Sequence, residues 1–202
     1  LHKAIRRQRQ MCIRDRLKDK ARGLNLGMSG GTWILPEGKS LQLNGVNTYL
    51  KLSSGSSVVI DKQTDYTIEL WFKGDHTNKN ATLLANGRAD GNDWGGSENL
   101  FFLGFKDSKL TFCSNGQVPL EAKGNYLDDN WHHVAVSANR MTGRVQLYVD
   151  GELNTYADVT DYGQIASGYI YAGVTPVIVN ATTNTYEHHF KGCLLYTSPS
   201  PR

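Results

Sequence analysis

The most informative part of this sequence is the pair of runs His133-Val134-Ala135-Val136-Ser137 and Arg144-Val145-Gln146-Leu147-Tyr148-Val149-Asp150-Gly151. In each run every second residue is apolar, which is the period of a β-strand with one buried face. Asp150-Gly151 ends the second run with residue types that readily take the positive φ of a tight reversal. The two runs therefore predict an antiparallel hairpin that packs on a core and is followed by a sharp turn.

The same period occurs upstream, in Thr67 to Lys73. Ile68, Leu70 and Phe72 fall on one face of such a strand, whereas Trp71 falls on the other. Together with the hairpin, this strand predicts a set of core residues. The set is Ile68, Leu70, Phe72, Val134, Val136, Val145, Leu147 and Val149.

Further short strands are predicted at regular spacing, with turn residues between them and without a helical period. They lie at Leu41 to Leu43, Tyr49 to Leu52, Thr82 to Ala85, Leu100 to Phe105, Lys109 to Cys113, Gly168 to Ala172 and Glu187 to Lys191. Strands without intervening helices favour an all-β sandwich over βαβ units. A chain of 202 residues suits one such domain.

Both ends of the chain are interpreted as translated sequencing adapter. Met11-Cys12-Ile13-Arg14-Asp15 can be encoded by a DNA element whose reverse complement, in a shifted frame, encodes Cys193-Leu194-Leu195-Tyr196-Thr197. That element resembles the transposon end used in library preparation. We therefore exclude residues 1–16 and 193–202 from fold reasoning. The alternative is a genuine basic arm and a genuine Ser/Pro tail.

Charge and cysteine content change with this exclusion. The chain has a net charge of +3, but residues 1–16 carry a balance of +5 and Arg202 one charge more, which leaves residues 17–192 at −3. A mildly acidic body is a poor nucleic-acid binder. Cys113 is then the single cysteine, predicted to be a small core residue rather than a nucleophile. No apolar run reaches the roughly 20 residues of a membrane span.

Four stretches of the chain, taken together, resemble a known family. They are Leu41 to Leu50, Tyr66 to Phe72, Asn130 to Val136 and Val145 to Glu152. In order and spacing they are similar to the laminin G-like jelly roll of the concanavalin A-like lectin and glucanase fold. The resemblance implies two antiparallel sheets packed face to face, with one concave face and loops at its rim.

The resemblance also implies a last strand that this chain is expected to lack. In such domains a phrase like His189-Phe190-Lys191-Gly192 is followed by an apolar strand that returns beside the N-terminal strand. Here the phrase runs into Cys193 and the adapter. The predicted fold is therefore an all-β, two-sheet antiparallel jelly roll without its last strand, which leaves an unpaired edge.

These predictions divide the chain into four parts. An artefactual leader occupies 1–16, a linker and approach 17–40, the laminin G-like β-sandwich 41–192, and an artefactual tail 193–202.

The long segment Asn86 to Asn99 is the predicted ligand site. Asp90, Asn92, Asp93 and Asn99 would supply oxygen donors for sugar hydroxyls, and Trp94 an apolar surface for a sugar face. Asp90, Asn92 and Asp93 could instead hold Ca²⁺, which prefers oxygen ligands. An ordinary solvated loop, a glycan site and a Ca²⁺ site all remain open.

The other polar and aromatic residues favour structural roles. Adjacent histidines on a strand, His132-His133 or His188-His189, point to opposite faces and cannot share a metal on one face. Trp71 and Trp131 are predicted to pack in the core or on a sheet rather than to form a binding platform.

Catalysis is not predicted for this chain. A retaining glycosidase needs two carboxyl groups about 5 to 5.5 Å apart, and the Glu-x-Asp-x-x-Glu pattern of laminarinase-like enzymes of the fold does not occur. Asp150 and Glu152 flank a turn glycine and indicate hairpin polarity, whereas Glu69 is alone on its strand.

The sequence therefore predicts a non-catalytic recognition module for carbohydrate or protein ligands. It would belong to a larger secreted or cell-surface protein, with other domains of the same polypeptide as neighbours, and would bind no nucleic acid and insert into no membrane. The alternatives are a glycoside hydrolase and a spacer that binds nothing.

Overall fold

The computed structural model describes residues 18–19, 24–29, 32–34, 40–52, 64–86, 101–114, 120–159, 170–179 and 182–195. These residues form seventeen β-strands. The strands are β1 (Lys18–Asp19), β2 (Leu24–Ser29), β3 (Thr32–Ile34), β4 (Ser40–Asn44), β5 (Tyr49–Leu52), β6 (Tyr66–Gly74), β7 (Ala81–Ala85), β8 (Phe101–Lys106), β9 (Lys109–Ser114), β10 (Leu120–Glu121), β11 (Trp131–Asn139), β12 (Arg144–Val149), β13 (Glu152–Asp158), β14 (Tyr171–Ala172), β15 (Thr175–Val179), β16 (Thr182–Glu187) and β17 (Lys191–Leu195).

Two antiparallel sheets enclose the core, as predicted. The eight-stranded sheet has the order β1-β2-β5-β14-β7-β8-β9-β10, and the seven-stranded sheet the order β13-β12-β11-β6-β17-β4-β3, while β15 and β16 form a separate hairpin. Phe72 of the seven-stranded sheet meets Phe105 of the eight-stranded sheet edge-on, with ring centroids 5.5 Å apart. The inner faces of the two sheets therefore interdigitate in the way that defines a sandwich.

The register of β11 confirms the predicted core. Val134 lies opposite Val149 on β12 and opposite Leu70 on β6, and Val136 lies opposite Leu147. Seven of the eight predicted core residues are buried, and Ile68, the eighth, is partly buried against the same cluster. Cys113, 3% exposed, is a small core residue as predicted.

The predicted turn at the end of the hairpin is also confirmed. Asp150 has a φ of 52° and Gly151 a φ of 84°. Both values are left-handed, as a two-residue turn between twisted strands requires. The Asp150 carboxylate also accepts a hydrogen bond of 2.8 Å from the backbone N–H of His133, so the aspartate fixes the turn against the neighbouring strand.

The structure corrects the prediction that the last strand is missing. Strand β17 lies between β6 and β4 and pairs with both, at the position that the resemblance implies for a last strand. Leu194 is buried in the core. The exclusion of Cys193 to Leu195 from the fold was therefore wrong, because strand pairing uses backbone groups that every sequence carries, and Leu194 supplies an apolar side chain on the inner face. Residues 1–16 and 196–202 lie outside the described residues, and the adapter origin stays a prediction.

A buried amide holds the start of β17 in place. The Asn78 side chain, 3% exposed, accepts a hydrogen bond of 2.7 Å from the N–H of Lys191 and donates one of 2.9 Å to its carbonyl. The same amide donates to the carbonyl of Asp75. Asn78 thus replaces a strand neighbour at the point where β17 enters the sheet.

Two further predictions are corrected. Within the predicted linker at 17–40, β2 pairs with β5 and β3 pairs with β4, so backbone pairing overrides a local composition that is typical of an approach segment. The strand predicted at Glu187 to Lys191 is instead the connection between β16 and β17, and His188 has a φ of 55° that interrupts any strand there. In the part of the chain that the structure describes, no helix is long and apolar enough to cross a membrane.

The packing predicts the cost of truncating the core. Phe72 and Leu147 are both fully buried. Replacing either by alanine should lower the free energy of unfolding by roughly 2 to 5 kcal/mol, because lost burial and a residual cavity add. Chemical denaturation would measure the loss. Met141→Ala is the control, since Met141 is 96% exposed in a turn; equal effects of all three variants would contradict the assigned faces.

Candidate functional site

The outer face of the seven-stranded sheet carries the side chains that alternate with the core residues. Along β11, Ala135 and Ser137 point to this face, opposite Val134 and Val136, and both are partly accessible. Alanine and serine have short side chains. The surface of the outer face is therefore recessed along the middle of β11.

Longer side chains lie directly across from these two small residues. Ala135 pairs with Tyr148 on β12 and with Glu69 on β6, and Ser137 pairs with Gln146 on β12. Side chains in such pairs stand about 5 Å apart at Cβ. The result is a shallow depression that we call the outer trough, with Ala135 and Ser137 as its floor and Tyr148, Gln146 and Glu69 as its walls.

Exposed apolar and aromatic side chains surround the outer trough. Trp131, at one end, is 40% exposed, and Leu153 and Tyr156 on the adjoining strand β13 are 48% and 53% exposed. The other exposed large hydrophobic side chains among the described residues, Val46 and Met141, lie in turns. Among the described residues, exposed apolar surface on strands is thus gathered on a face that also offers hydroxyl, amide and carboxylate groups.

Trp71 and His133 form a packed pair at the same end of the trough. Their rings are 5.1 Å apart at the centroids, and Nε2 of His133 lies 3.5 Å from Oε2 of Glu69. Trp71 therefore packs on the sheet, as predicted. Trp131 does not follow that prediction, because it stands on an outward position of β11 where the sheet leaves it open to solvent. Glu69, alone on its own strand, gains a polar neighbour across the sheet.

Two cations on this face are each paired with a carboxylate. Arg144 donates to Asp158 through Nε at 2.6 Å and through Nη2 at 3.1 Å, and its guanidinium lies 4.6 Å from the ring centroid of Tyr156. Hydrogen bonding to Arg144 lowers the pKa of Asp158. Lys73 lies 3.6 Å from Asp129. Each of these two cations therefore has an acidic neighbour.

Beside the trough, His132 joins two turns of the chain. Its Nδ1 lies 2.8 Å from Oδ2 of Asp150 and its Nε2 lies 3.1 Å from Oδ1 of Asp128. The Tyr126 ring meets the imidazole edge-on at 5.2 Å, and the side chain of His132 is only 13% exposed. We call this arrangement the His132 clamp.

The His132 clamp requires a protonated imidazole. A carboxylate only accepts hydrogen bonds, so the ring must donate from both nitrogens, which only the cation can do. Burial by itself would lower the pKa of His132, but hydrogen bonds to Asp150 and Asp128 and the charges of both outweigh it and raise the pKa. Hydrogen bonds from Asn130, followed by that from His132, lower the pKa of Asp128 to about 2.

His132 and His133 point to opposite sides of the sheet, as predicted. His132 lies near the core residue Phe72, with ring centroids 5.8 Å apart, whereas His133 packs on Trp71 at the outer face. Among the described residues, no group of three or more His, Cys, Asp or Glu side chains is placed to hold a metal ion.

The predicted ligand segment cannot be compared with this face. Asp90, Asn92, Asp93, Trp94 and Asn99 lie outside the described residues. The structure describes the base of that segment: the Asn86 side chain accepts a hydrogen bond of 2.7 Å from the N–H of Phe101. Sequence reasoning missed the outer trough because it depends on which residues stand opposite one another across three strands. The alternation of Ala135 and Ser137 with valine was the available signal.

Comparison with known proteins places the chain in a family. Residues 44–194 match the Laminin_G_3 model, described as the concanavalin A-like lectin/glucanases superfamily. The chain belongs to this family. The matched residues include most of β17. A search of curated proteins found no match.

Solved structures similar to this Laminin_G_3 domain have different origins. Domain 4 of a GH43 extracellular arabinanase from Geobacillus stearothermophilus, in complex with arabinotriose, aligns at a TM-score of 0.59 and 17% identity, over 91% of this chain and 86% of that one. A heptameric SAP-like pentraxin from Limulus polyphemus aligns at 0.55 and 14%, over 77% and 72%. The binding domain of botulinum neurotoxin serotype D aligns at 0.56 and 11%, over 86% and 42%. At these identities the likeness shows the fold alone.

The His132 clamp predicts a pH dependence of stability. Because the pKa of His132 is raised above its ordinary value of 6.5, the clamp stabilises the folded state fully below that pH and loses this contribution as the pH rises through the raised pKa. The free energy of unfolding should therefore fall, by on the order of 1 kcal/mol, between about pH 5.5 and about pH 8.5. His132→Asn should flatten this decline.

The matched control is His76→Gln, because His76 is exposed in the turn after β6. Denaturation across the pH range should show the same decline for this variant as for the unchanged protein. A decline that survives His132→Asn would mean that another group titrates.

Proposed function

We propose that this Laminin_G_3 domain is a non-catalytic module that binds carbohydrate through the outer trough. The observation that carries the proposal is the grouping of exposed Trp131 and Tyr156 with the polar walls of the trough on one sheet face. Aromatic rings offer flat apolar surfaces, and hydroxyl, amide and carboxylate groups fix orientation by hydrogen bonds. Sugars present both an apolar face and a rim of hydroxyls.

The alternative of a glycoside hydrolase is less well supported. Glu69 is the carboxylate at the trough, and the residues that face it across β11 are Ala135 and His133. Two further carboxylates on this face are also engaged: Asp158 accepts two hydrogen bonds from Arg144, and Asp129 lies 3.6 Å from Lys73. Hydrolysis by two carboxyl groups needs both near one glycosidic bond, so binding without turnover fits these residues better.

The wider setting is part of the proposal. We expect the domain to act in adhesion or in anchoring an enzyme to a polymer, within a secreted or cell-surface protein that contains further domains. The segment with Asp90, Asn92 and Asp93 remains a proposed second site, for Ca²⁺ or a glycan. Calorimetric titration with Ca²⁺, comparing the unchanged protein with Asp93→Ala, tests the metal separately from the trough.

The proposed function predicts that the domain binds a glycan saturably and releases no hydrolysis product from it. Because a related fold was solved with arabinotriose, arabinan is a rational first probe within a panel of polysaccharides. Trp131→Ala should weaken binding of the preferred glycan roughly tenfold, the loss expected for about 1.4 kcal/mol of ring contact. Affinity electrophoresis and calorimetry would measure this loss.

Met141→Ala serves as the control, because it removes an exposed apolar side chain away from the trough. The same mixtures are assayed for reducing ends. Release of reducing ends that stops on Glu69→Gln would make the domain an enzyme, and absence of binding to every glycan would leave the spacer alternative.

A further inference from the structure

Two exposed aromatic side chains border the outer trough, Trp131 on β11 and Tyr156 on β13. Trp131 and Ser137 are six residues apart on β11, which corresponds to about 20 Å at about 3.4 Å per residue. Trp131 stands at one end of β11, whereas Tyr156 stands on β13, beyond Gln146 and level with Ser137. A ligand that touches both rings must therefore run obliquely from β11 over β12 to β13.

Between these two points, the trough offers hydrogen-bonding groups rather than a closed pocket. The Tyr148 and Gln146 side chains follow one wall, Glu69 lies on the other, and the floor at Ala135 is partly accessible. Small floor residues flanked by polar walls suit a narrow chain that lies flat on the sheet.

The charges of the trough select against an acidic ligand. Arg144 is held by Asp158 and Lys73 lies beside Asp129, so recruiting either cation would break an existing pair. Glu69 adds an acidic group to the wall, and His133 already lies beside it. An anionic chain would lose hydration and meet a carboxylate without a compensating cation.

From these observations we infer that the outer trough binds an internal stretch of an uncharged polysaccharide, which runs obliquely over the sheet from Trp131 on β11 to Tyr156 on β13. This inference rests on the proposed carbohydrate-binding function and adds the ligand's charge, its extended shape and its direction. The occupant is a neutral sugar chain of several rings. Sulfated and uronic acid chains are excluded by charge, and single sugars are too short to reach both rings.

The charge of the ligand is tested with a matched pair of polymers. The full chain is titrated with polygalacturonate and with the same polymer after complete methyl esterification, alongside neutral arabinan and xylan. Binding to at least one neutral polymer, unchanged between low and high salt, is expected, because no ion pairs form with the ligand. Preference for polygalacturonate over every neutral polymer, or salt-sensitive binding, would overturn the inference but leave the binding function intact.

The extended shape is tested with an oligosaccharide ladder of the best neutral polymer. Affinity should rise from the disaccharide and level off once the ligand spans the trough. Trp131→Ala and Tyr156→Ala should each weaken the binding of a long oligosaccharide roughly tenfold, whereas Met141→Ala should leave its affinity unchanged. Equal affinity for the disaccharide and the longest oligosaccharide would overturn the inference, as would a dimer of the free chain that Trp131→Ala dissociates in analytical ultracentrifugation.

If no polysaccharide binds while circular dichroism and unfolding show a folded domain, the proposed function itself fails. That outcome is distinct from binding of an acidic polymer or of a disaccharide alone. Those results would retain carbohydrate recognition and would contradict only the ligand that we infer for the trough.

Discussion

Strand β11 is hydrogen-bonded on both sides, to β6 and to β12, and this double pairing fixes which way each of its side chains points. Because strand side chains alternate, setting Val134 opposite both Leu70 and Val149 places the intervening residues on the outer face. A shift of one residue would bury Ala135 and Ser137 and expose the valines. The core and the outer trough are thus two consequences of one register.

The His132 clamp holds the first residues of β11 against two neighbouring turns. Asp150 holds β11 twice, through the imidazole of His132 and through the backbone N–H of His133, while Asp128 approaches the imidazole from the preceding loop. A neutral imidazole would leave one carboxylate facing a ring nitrogen that also accepts. The positions of the turns that carry Asp128 and Asp150 therefore depend on one proton of the His132 imidazole. His132 directly follows Trp131 in the sequence.

The sequence predicted best the features that depend on local pattern. Val134, Leu147 and Phe72 were assigned to the core by alternation alone, and the turn at Asp150 by its residue type. Features that depend on distant pairing were missed. Strand β17 takes its place through backbone bonds with β4 and β6, which the local pattern of Cys193 to Leu195 does not reveal.

The outer trough was missed for a related reason. Tyr148 and Glu69 become neighbours of Ala135 only when the strands align, and an irregularity in the pairing of β12 with β13, between Leu147 and Tyr148, sets Leu153 opposite Tyr148. One-dimensional patterns carry no signal for such an irregularity. The residues proposed from local chemistry and from the family resemblance, Asp90 to Asn99, lie outside the described residues and stay a prediction.

Exposed apolar residues on an edge strand would normally favour aggregation, and β13 is an edge that carries two of them. Other contacts nevertheless cover part of this edge. Asn154 accepts a hydrogen bond from the N–H of Lys123 and donates to its carbonyl and to the hydroxyl of Tyr126, so a loop covers part of the strand. The pairing irregularity and the exposed ion pair of Asp158 further disfavour addition of another strand. Because backbone pairing is hindered while the aromatic face stays open, the exposed side chains of this face are better suited to a ligand that lies across the sheet than to a second sheet.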